Sequence, residues 1–279
     1  MKTLVAAFAL ALALAAAPAA AKDWKKIRIA SEGAYPPWNS TDASGKLTGF
    51  DIDLAQELCQ RIKAECVFVA QDWDGLIPAL QAGKYDAIMA AMSITSERQR
   101  KIAFSEPYAL EPAAFAAMKA SPLTAAFKAE GGLDLEEINA DEQKTLDGIA
   151  TALKGKTVGV QVSTIHQAML EKLMPSLTLR TYDKTDNMAL DLIAGRIDAM
   201  VIDRSNIEAL AKAEGGKDIT VFGPNLTRGP LGIGIGVGLR KADADLKQLF
   251  DMAIDEARKD GAVAKLSQKW FGYDVTVRR

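Results

Sequence analysis

The sequence predicts an α/β protein of two lobes, each a mainly parallel sheet flanked by helices, with a ligand cleft between them. Three observations carry that prediction. From Ile27 onward, short apolar strand-like runs alternate with runs whose apolar residues fall at helical spacing, which is the grammar of βαβ units. The same grammar restarts at KTVGVQV, 156–162. Finally, two segments rhyme: LIPALQAGKYDAIMAAMS (76–93) and MALDLIAGRIDAMVIDRS (188–205). Each runs helix, glycine stop, one basic residue, Asp-Ala, then an apolar strand with a polar end, and two equivalent lobes account for that better than coincidence.

The elements follow in order. Lys2 gives a positive start, Leu4 to Ala17 an apolar core, and Ala19 and Ala21 frame an A-x-A cleavage site before Lys22. That pattern predicts a secretory signal over 1–21 and export; a retained anchor is the alternative. IRIAS is the first strand. GFDIDLAQELCQRI is a helix with Ile52, Leu54, Ala55, Leu58 and Ile62 on one face, and CVFVA is the next strand. Export changes how Cys59 and Cys66 read, because an oxidising compartment favours a disulfide clipping that helix to that strand. Such a bridge would restrain the unfolded chain by roughly 2 to 3 kcal/mol; two free thiols are the alternative. DGLIPALQAG is a brief helix stopped by Gly83, and YDAIMAAMS is a strand.

In the second half, residues 164–173 and 188–194 read as helices and IDAMVI as a strand, while 121–148 is a polar, acidic excursion with weak periodicity, mobile or partly helical. LGIGIGVGLR reads as strand, since the G-x-G-x-x-G order of a dinucleotide loop is missing. Helices over 242–259 and 262–271 are expected to pack back on the first lobe. Lobe 1 is then 22–110 and 229–279, lobe 2 is 111–228, and two linkers cross between them near 108–112 and 227–230.

Composition narrows the function. The chain carries 34 basic and 36 acidic residues without a basic tract, so the concentrated positive surface that nucleic-acid binding needs is missing. One histidine and two cysteines are too few for a structural zinc site, and no cofactor is expected. There is no nucleophile elbow or paired-glutamate spacing, which argues against an enzyme. Selection of a partner must come from a pocket.

In parallel α/β sheets that pocket lies beyond the carboxyl ends of the strands. The residues standing there include Glu32, Tyr35 and Trp38 after the first strand, Trp73 after the second, and Ala90, Ala91, Met92, Ser93 and Arg98 after the third. In the second lobe they are Gln161, Ser163, Thr164 and His166, and Asp203. Arg98 can hold a carboxylate through two parallel bonds. Thr164, or its backbone N–H at a helix start, can meet the same anion, and Asp203 suits an ammonium. A cation in one lobe and an anion in the other match an α-amino acid. Tyr35, Trp38 and Trp73 offer flat walls for its side chain, and Glu32 a partner for a distal positive group.

With these residues in hand, GFDIDLAQELCQRIKAEC, DGLIPALQAGKYDAIMAAMSIT, AGRIDAM and KWFGYDV together closely resemble the periplasmic receptors for polar amino acids that feed ABC importers (solute-binding protein family 3). The nearest branches are those for lysine, arginine, ornithine and histidine, and those for the opines octopine and nopaline. The likeness spans essentially 25–275. It implies the type II periplasmic binding-protein fold, a disulfide on Cys59 and Cys66, an inner-membrane ABC permease as partner and a monomeric receptor. By position it also implies that Tyr35 covers the ligand side chain, Trp73 forms the opposing wall and Glu32 faces a distal cation. Ser93 falls near the α-ammonium, Arg98 and Thr164 on the carboxylate, and Asp203 on the ammonium. Departures from the lysine and histidine branch are Ala90 and Ala91 in place of two serines, Val162 and Ile165 in place of a glutamine and a threonine, and His166 where smaller or amide residues are usual. Those changes favour arginine or an arginine-derived opine. The rival expectations are a dehydratase on the same fold, a sensor module with a signalling partner, and a receptor for a neutral polar amino acid such as glutamine.

Overall fold

The computed structural model describes residues 22–277, so the expected signal segment lies outside the described residues. Two large sheets divide the chain, beside a small three-stranded one of Ala34–Tyr35, Asn39–Thr41 and Leu47–Thr48. A five-stranded sheet runs in the order Glu65–Ala70, Lys26–Ser31, Ala87–Ile88, Gly238–Leu239, Ala103–Phe104. Its first three strands are parallel, and Gly238–Leu239 is antiparallel to both neighbours. A six-stranded sheet runs Thr178–Tyr182, Thr157–Gln161, Ala199–Asp203, Ala113–Met118, Ile219–Thr227, Gly132–Asp134. Here Ala113–Met118 is the strand that opposes its two neighbours. The chain leaves the first sheet after Phe104, builds the whole second sheet from Ala113 to Thr227, and returns at Gly238.

The central strands of both sheets are buried on both faces, which is why they read as continuous apolar runs rather than alternating ones. In the first, Ile27 and Ile29 face a core shared with Leu54, Leu58, Phe250 and Ile254, while Ala30 and Ile88 face Leu76, Leu80 and Tyr85. In the second, Val158, Val160 and Val201 pack on Ile149 and Leu170, while Met200 and Ile202 pack on Met188, Leu192 and Ile207. Gly159 permits that second packing, because a methyl there would lie 2.6 Å from Ile197 Cδ1 and 2.8 Å from Met188 Cγ. The C-terminal helices Ala244–Lys259 and Ala262–Phe271 lie on the helix Phe50–Ile62, so their apolar stripes complete the first core. Cys59 near the end of that helix is joined to Cys66 in the adjoining strand, the expected disulfide.

The stretch 121–148 is more ordered than its weak periodicity suggests. It holds the helix Pro122–Ala126, an edge strand Gly132–Asp134 and most of the helix Ala140–Ala152. The longer helix starts in a capping box: Asn139 accepts the N–H groups of Asp141 and Glu142, and Glu142 returns a bond to the N–H of Asn139. That local device substitutes for a strong apolar stripe. Among the described residues, no helix is long and apolar enough to cross a membrane.

Candidate functional site

The strand ends converge on one narrow cavity between the lobes. The first lobe lines it with Glu32, Tyr35, Trp73, Ala90, Ala91, Ser93 and Arg98. The second lines it with Gln161, Thr164, Ile165, His166 and Asp203.

Arg98 sits in the short helix Ser96–Lys101, whose first turn is capped by Thr95 accepting the Arg98 N–H. Its side chain turns back from solvent and is 9% exposed. Nη1 donates to the Ser93 carbonyl at 3.0 Å, and the guanidinium lies over the Trp73 ring, 5.1 Å from its centroid. Burial pulls its pKa down to about 10, which leaves it charged at neutral pH. Glu97 and Asp203 act on it electrostatically in the opposite sense, but less than burial does. A buried guanidinium without an anion is costly, and a ligand carboxylate in the cavity removes that cost.

The backbone that delivers Arg98 is held by Asp51. Its Oδ2 accepts the Ala91 N–H at 2.8 Å and Asn39 Nδ2 at 3.1 Å, and its Oδ1 accepts the Tyr108 hydroxyl at 2.7 Å. Burial outweighs these three bonds and pushes Asp51 up to about 6. Ala91 has φ of 49°, a left-handed bend that turns the chain out of the sheet toward Ser93.

On the opposite lobe, Asp203 ends its strand and occupies the position before helix Arg204–Lys212, yet its side chain does not cap that helix. It is 7% exposed and faces the cavity instead. Tyr35 donates its hydroxyl proton to Asp203 Oδ2 at 2.9 Å, and the Asp203 N–H donates to the Tyr35 oxygen at 3.2 Å. His166 Nε2 lies 3.1 Å from Asp203 Oδ1; since a carboxylate accepts, that nitrogen carries the hydrogen. Thr164 caps the helix Ile165–Leu173, accepting the Gln167 N–H and donating to the Gln161 carbonyl at 2.7 Å. That helix start therefore opens onto the cavity.

The third charged group is Glu32. Gln161 Nε2 donates to its Oε1 at 2.7 Å across the lobes and also to the Asp183 carbonyl at 2.9 Å. Burial pushes Glu32 up to about 7, against the pull of the Gln161 bond. A cation beside it would restore an ordinary acid.

Three expected residues do not line the narrow cavity itself. Trp38 is fully buried in the first core between Phe50 and Phe271, with ring centroids 5.3 and 4.7 Å away, so its ring is not a cavity wall. Met92 is turned into the core that holds Leu76 and Tyr85. Ser163, at φ of 59°, meets the site through its backbone, where its carbonyl accepts Trp73 Nε1 at 3.3 Å. Sequence reasoning passed over Asp51 and Glu111, and did not count Ile165 among the contacts. Glu111 accepts the Ser205 N–H at 2.7 Å behind Asp203, and burial, with Asp203 nearby, pushes it up to about 8. The acid in the first turn of GFDIDLA was a readable sign of Asp51; nothing local marks Glu111.

Two lobes closing on a cavity with a lone buried cation on one side and a buried acid on the other define a binding protein for small zwitterions. The chain belongs to the bacterial extracellular solute-binding proteins, family 3, whose model matches residues 27–273. It is 41% identical over 286 residues to the octopine-binding periplasmic protein of Rhizobium meliloti, covering 95% of this chain and 96% of that one. It is 37% identical to the L-arginine-binding protein of Pseudomonas aeruginosa, covering 99% and 98%. Among solved structures it matches an ancestral arginine-binding protein bound to arginine with TM-score 0.73 and 30% identity, over 89% of this chain and 99% of that one.

Proposed function

We propose that this protein is the periplasmic solute-binding component of an amino-acid ABC importer. It takes up a basic L-amino acid, arginine above the others, or an arginine-derived opine of the octopine or nopaline kind. Lobe 1 (22–110 and 229–279) and lobe 2 (111–228) close over the ligand, and the closed monomer delivers it to an inner-membrane permease without chemical turnover.

The observation that carries this reading is the charge inventory of the cavity. One buried cation, Arg98, and two buried acids, Asp203 and Glu32, share it. A basic amino acid brings the complement, one carboxylate and two cations, so each buried charge finds an opposite. Glutamine would leave Glu32 without a counter-charge. The octopine and arginine receptors among the relatives support the same class. Closure itself follows from preference: the ligand shifts the balance toward the closed form by as much as it binds that form better.

The test is a thermal-shift and calorimetric series over arginine, ornithine, lysine, histidine, octopine, nopaline and glutamine. Arginine or its opines should bind most tightly and raise Tm in proportion to log concentration, with glutamine at least about tenfold weaker, the size of one unmatched charge-assisted bond. Glutamine binding equal to arginine would overturn the assignment. So would conversion of a prephenate-like acid, which would make the chain a dehydratase.

A further inference from the structure

We propose that the segment Glu32–Trp38 carries a ligand-independent clasp, in which the Trp38–Ser205 and Pro36–Asn206 hydrogen bonds set the population of the closed form and so scale the affinity for every ligand by one common factor. This rests on the reading that the lobes close over the ligand. Trp38 Nε1 donates to Ser205 Oγ at 2.9 Å, and Asn206 Nδ2 donates to the Pro36 carbonyl at 2.6 Å. Thr185 adds a weaker bond to the Ala34 carbonyl at 3.3 Å. All three cross from one lobe to the other, and none of these residues lines the cavity. They therefore form on closure without any help from a ligand.

The two sides are anchored separately. Trp38 is wedged between Phe50 and Phe271 of the first core and must stay with that lobe. Ser205 and Asn206 open the helix that follows Asp203, and the Ser205 N–H is tied to Glu111. Asn206 is fully buried, and its Oδ1 has no partner among the described residues. A buried amide with an unmatched oxygen is a burden on its own lobe; an apolar side chain would serve that packing better. Among the described residues its side chain makes the bond to Pro36, so the amide is explained by what it does across the cleft.

The consequence is quantitative. Apparent affinity is the affinity of the closed form multiplied by the fraction of ligand-free protein that is closed. Weakening the clasp lowers that fraction before any ligand arrives, so chemically different ligands lose affinity equally. A ligand contact behaves otherwise, since its loss is felt by those ligands that use it.

The test uses the mature chain with Ser205→Ala, Asn206→Leu and Trp38→Phe. Closure is read in ligand-free protein from the distance between spin labels on Lys101→Cys and Lys172→Cys, exposed positions on opposite lobes at the cleft mouth. Each variant should shift the distribution toward the longer distance. Calorimetric affinities for arginine, ornithine and lysine should fall together by about three- to tenfold, the worth of one neutral hydrogen bond. The Trp38→Phe/Ser205→Ala double variant should be no weaker than either single one, and the ligand-free Tm of Asn206→Leu should not fall. Unequal factors among ligands, an unchanged label distance, or a fall in Tm that tracks the loss of affinity would each overturn the clasp. Should the wild type bind no basic ligand while the label distances still shift as expected, the clasp stands and the proposed ligand class falls.

Discussion

The segments 76–93 and 188–205 begin alike and lead to opposite charges, Arg98 just beyond the first and Asp203 within the second. Each helix stops at a left-handed glycine, Gly83 at φ of 74° and Gly195 at φ of 68°. Each then uses an aspartate to dock the next strand. Asp86 N–H donates to the Arg28 carbonyl while its Oδ2 accepts the Arg28 N–H at 3.1 Å. Asp198 N–H donates to the Thr157 carbonyl while its Oδ2 accepts the Thr157 N–H at 2.8 Å. Beyond that point they diverge. The first strand stops at Ile88, and the chain bends at Ala91 toward Ser93 and Arg98. The second runs straight to Asp203. One frame, repeated, thus brings a cation and an anion to the two sides of one cavity, and the strand ends alone decide which charge each lobe presents.

Arg98→Ala breaks the comparison most severely, because it erases the charge that distinguishes the first lobe. Calorimetry with arginine should show a loss of about 3 kcal/mol or more, the cost of removing one partner of a buried charged pair.

Glu32 sharpens it through pH. Its carboxyl stands at about 7 against an ordinary 4.5 because it is buried. A raised acid favours the ligand-free closed fold at low pH, and that contribution is lost as pH rises from 4.5 through 7. The loss approaches about 3 kcal/mol at pH 8, at ~1.4 kcal/mol per pH unit. Glu32→Gln should therefore unfold at higher temperature than wild type at pH 8 and at the same temperature at pH 4, while losing its preference for arginine over glutamine.

Asp203→Asn keeps the shape of the second strand end but removes its charge. Arginine should bind about 2 kcal/mol more weakly, the range for a hydrogen bond to a charged group. Nα-acetylarginine, which has no α-ammonium, should respond little to that change.

The shared frame is itself unequal. Burial pushes Asp86 up, but hydrogen bonds from Arg28 and Arg240 outweigh it and hold it at about 2. A lowered acid stabilises above its ordinary 3.8 and loses that contribution as pH falls toward 2. Asp86→Asn should cost about 2 kcal/mol of stability at pH 7 by chemical denaturation. Asp198, 43% exposed and 3.6 Å from Lys156, should cost less than about 1 kcal/mol when changed to Asn.

Much of this was legible because the relevant patterns are local. Helical spacing in GFDIDLAQELCQRI, the glycine stops and the rhyme itself give two lobes, and the rule that ligands sit at strand ends brings Arg98, Asp203, Glu32 and Gln161 together. What escaped depends on contacts distant in sequence. Trp38 looked like a cavity wall because aromatic residues flank the first strand end, but Phe271, more than two hundred residues on, draws its ring into the core. Met92 belongs to the opposite face of a bend that no pattern in AAMS announces. Asp51 and Glu111 are acids whose partners, Ala91 and Ser205, lie 40 and 94 residues away. The edge strand Gly132–Asp134 forms by pairing with Asn225–Thr227, a register invisible before both segments are placed.

A crystal structure with arginine bound tests the central claim most directly. The ligand carboxylate should lie within about 3 Å of the Arg98 guanidinium, with the α-ammonium at the same distance from Asp203. A ligand density in which Arg98 points to solvent, or in which Asp203 touches neither the α-nitrogen nor the space around it, would contradict the account.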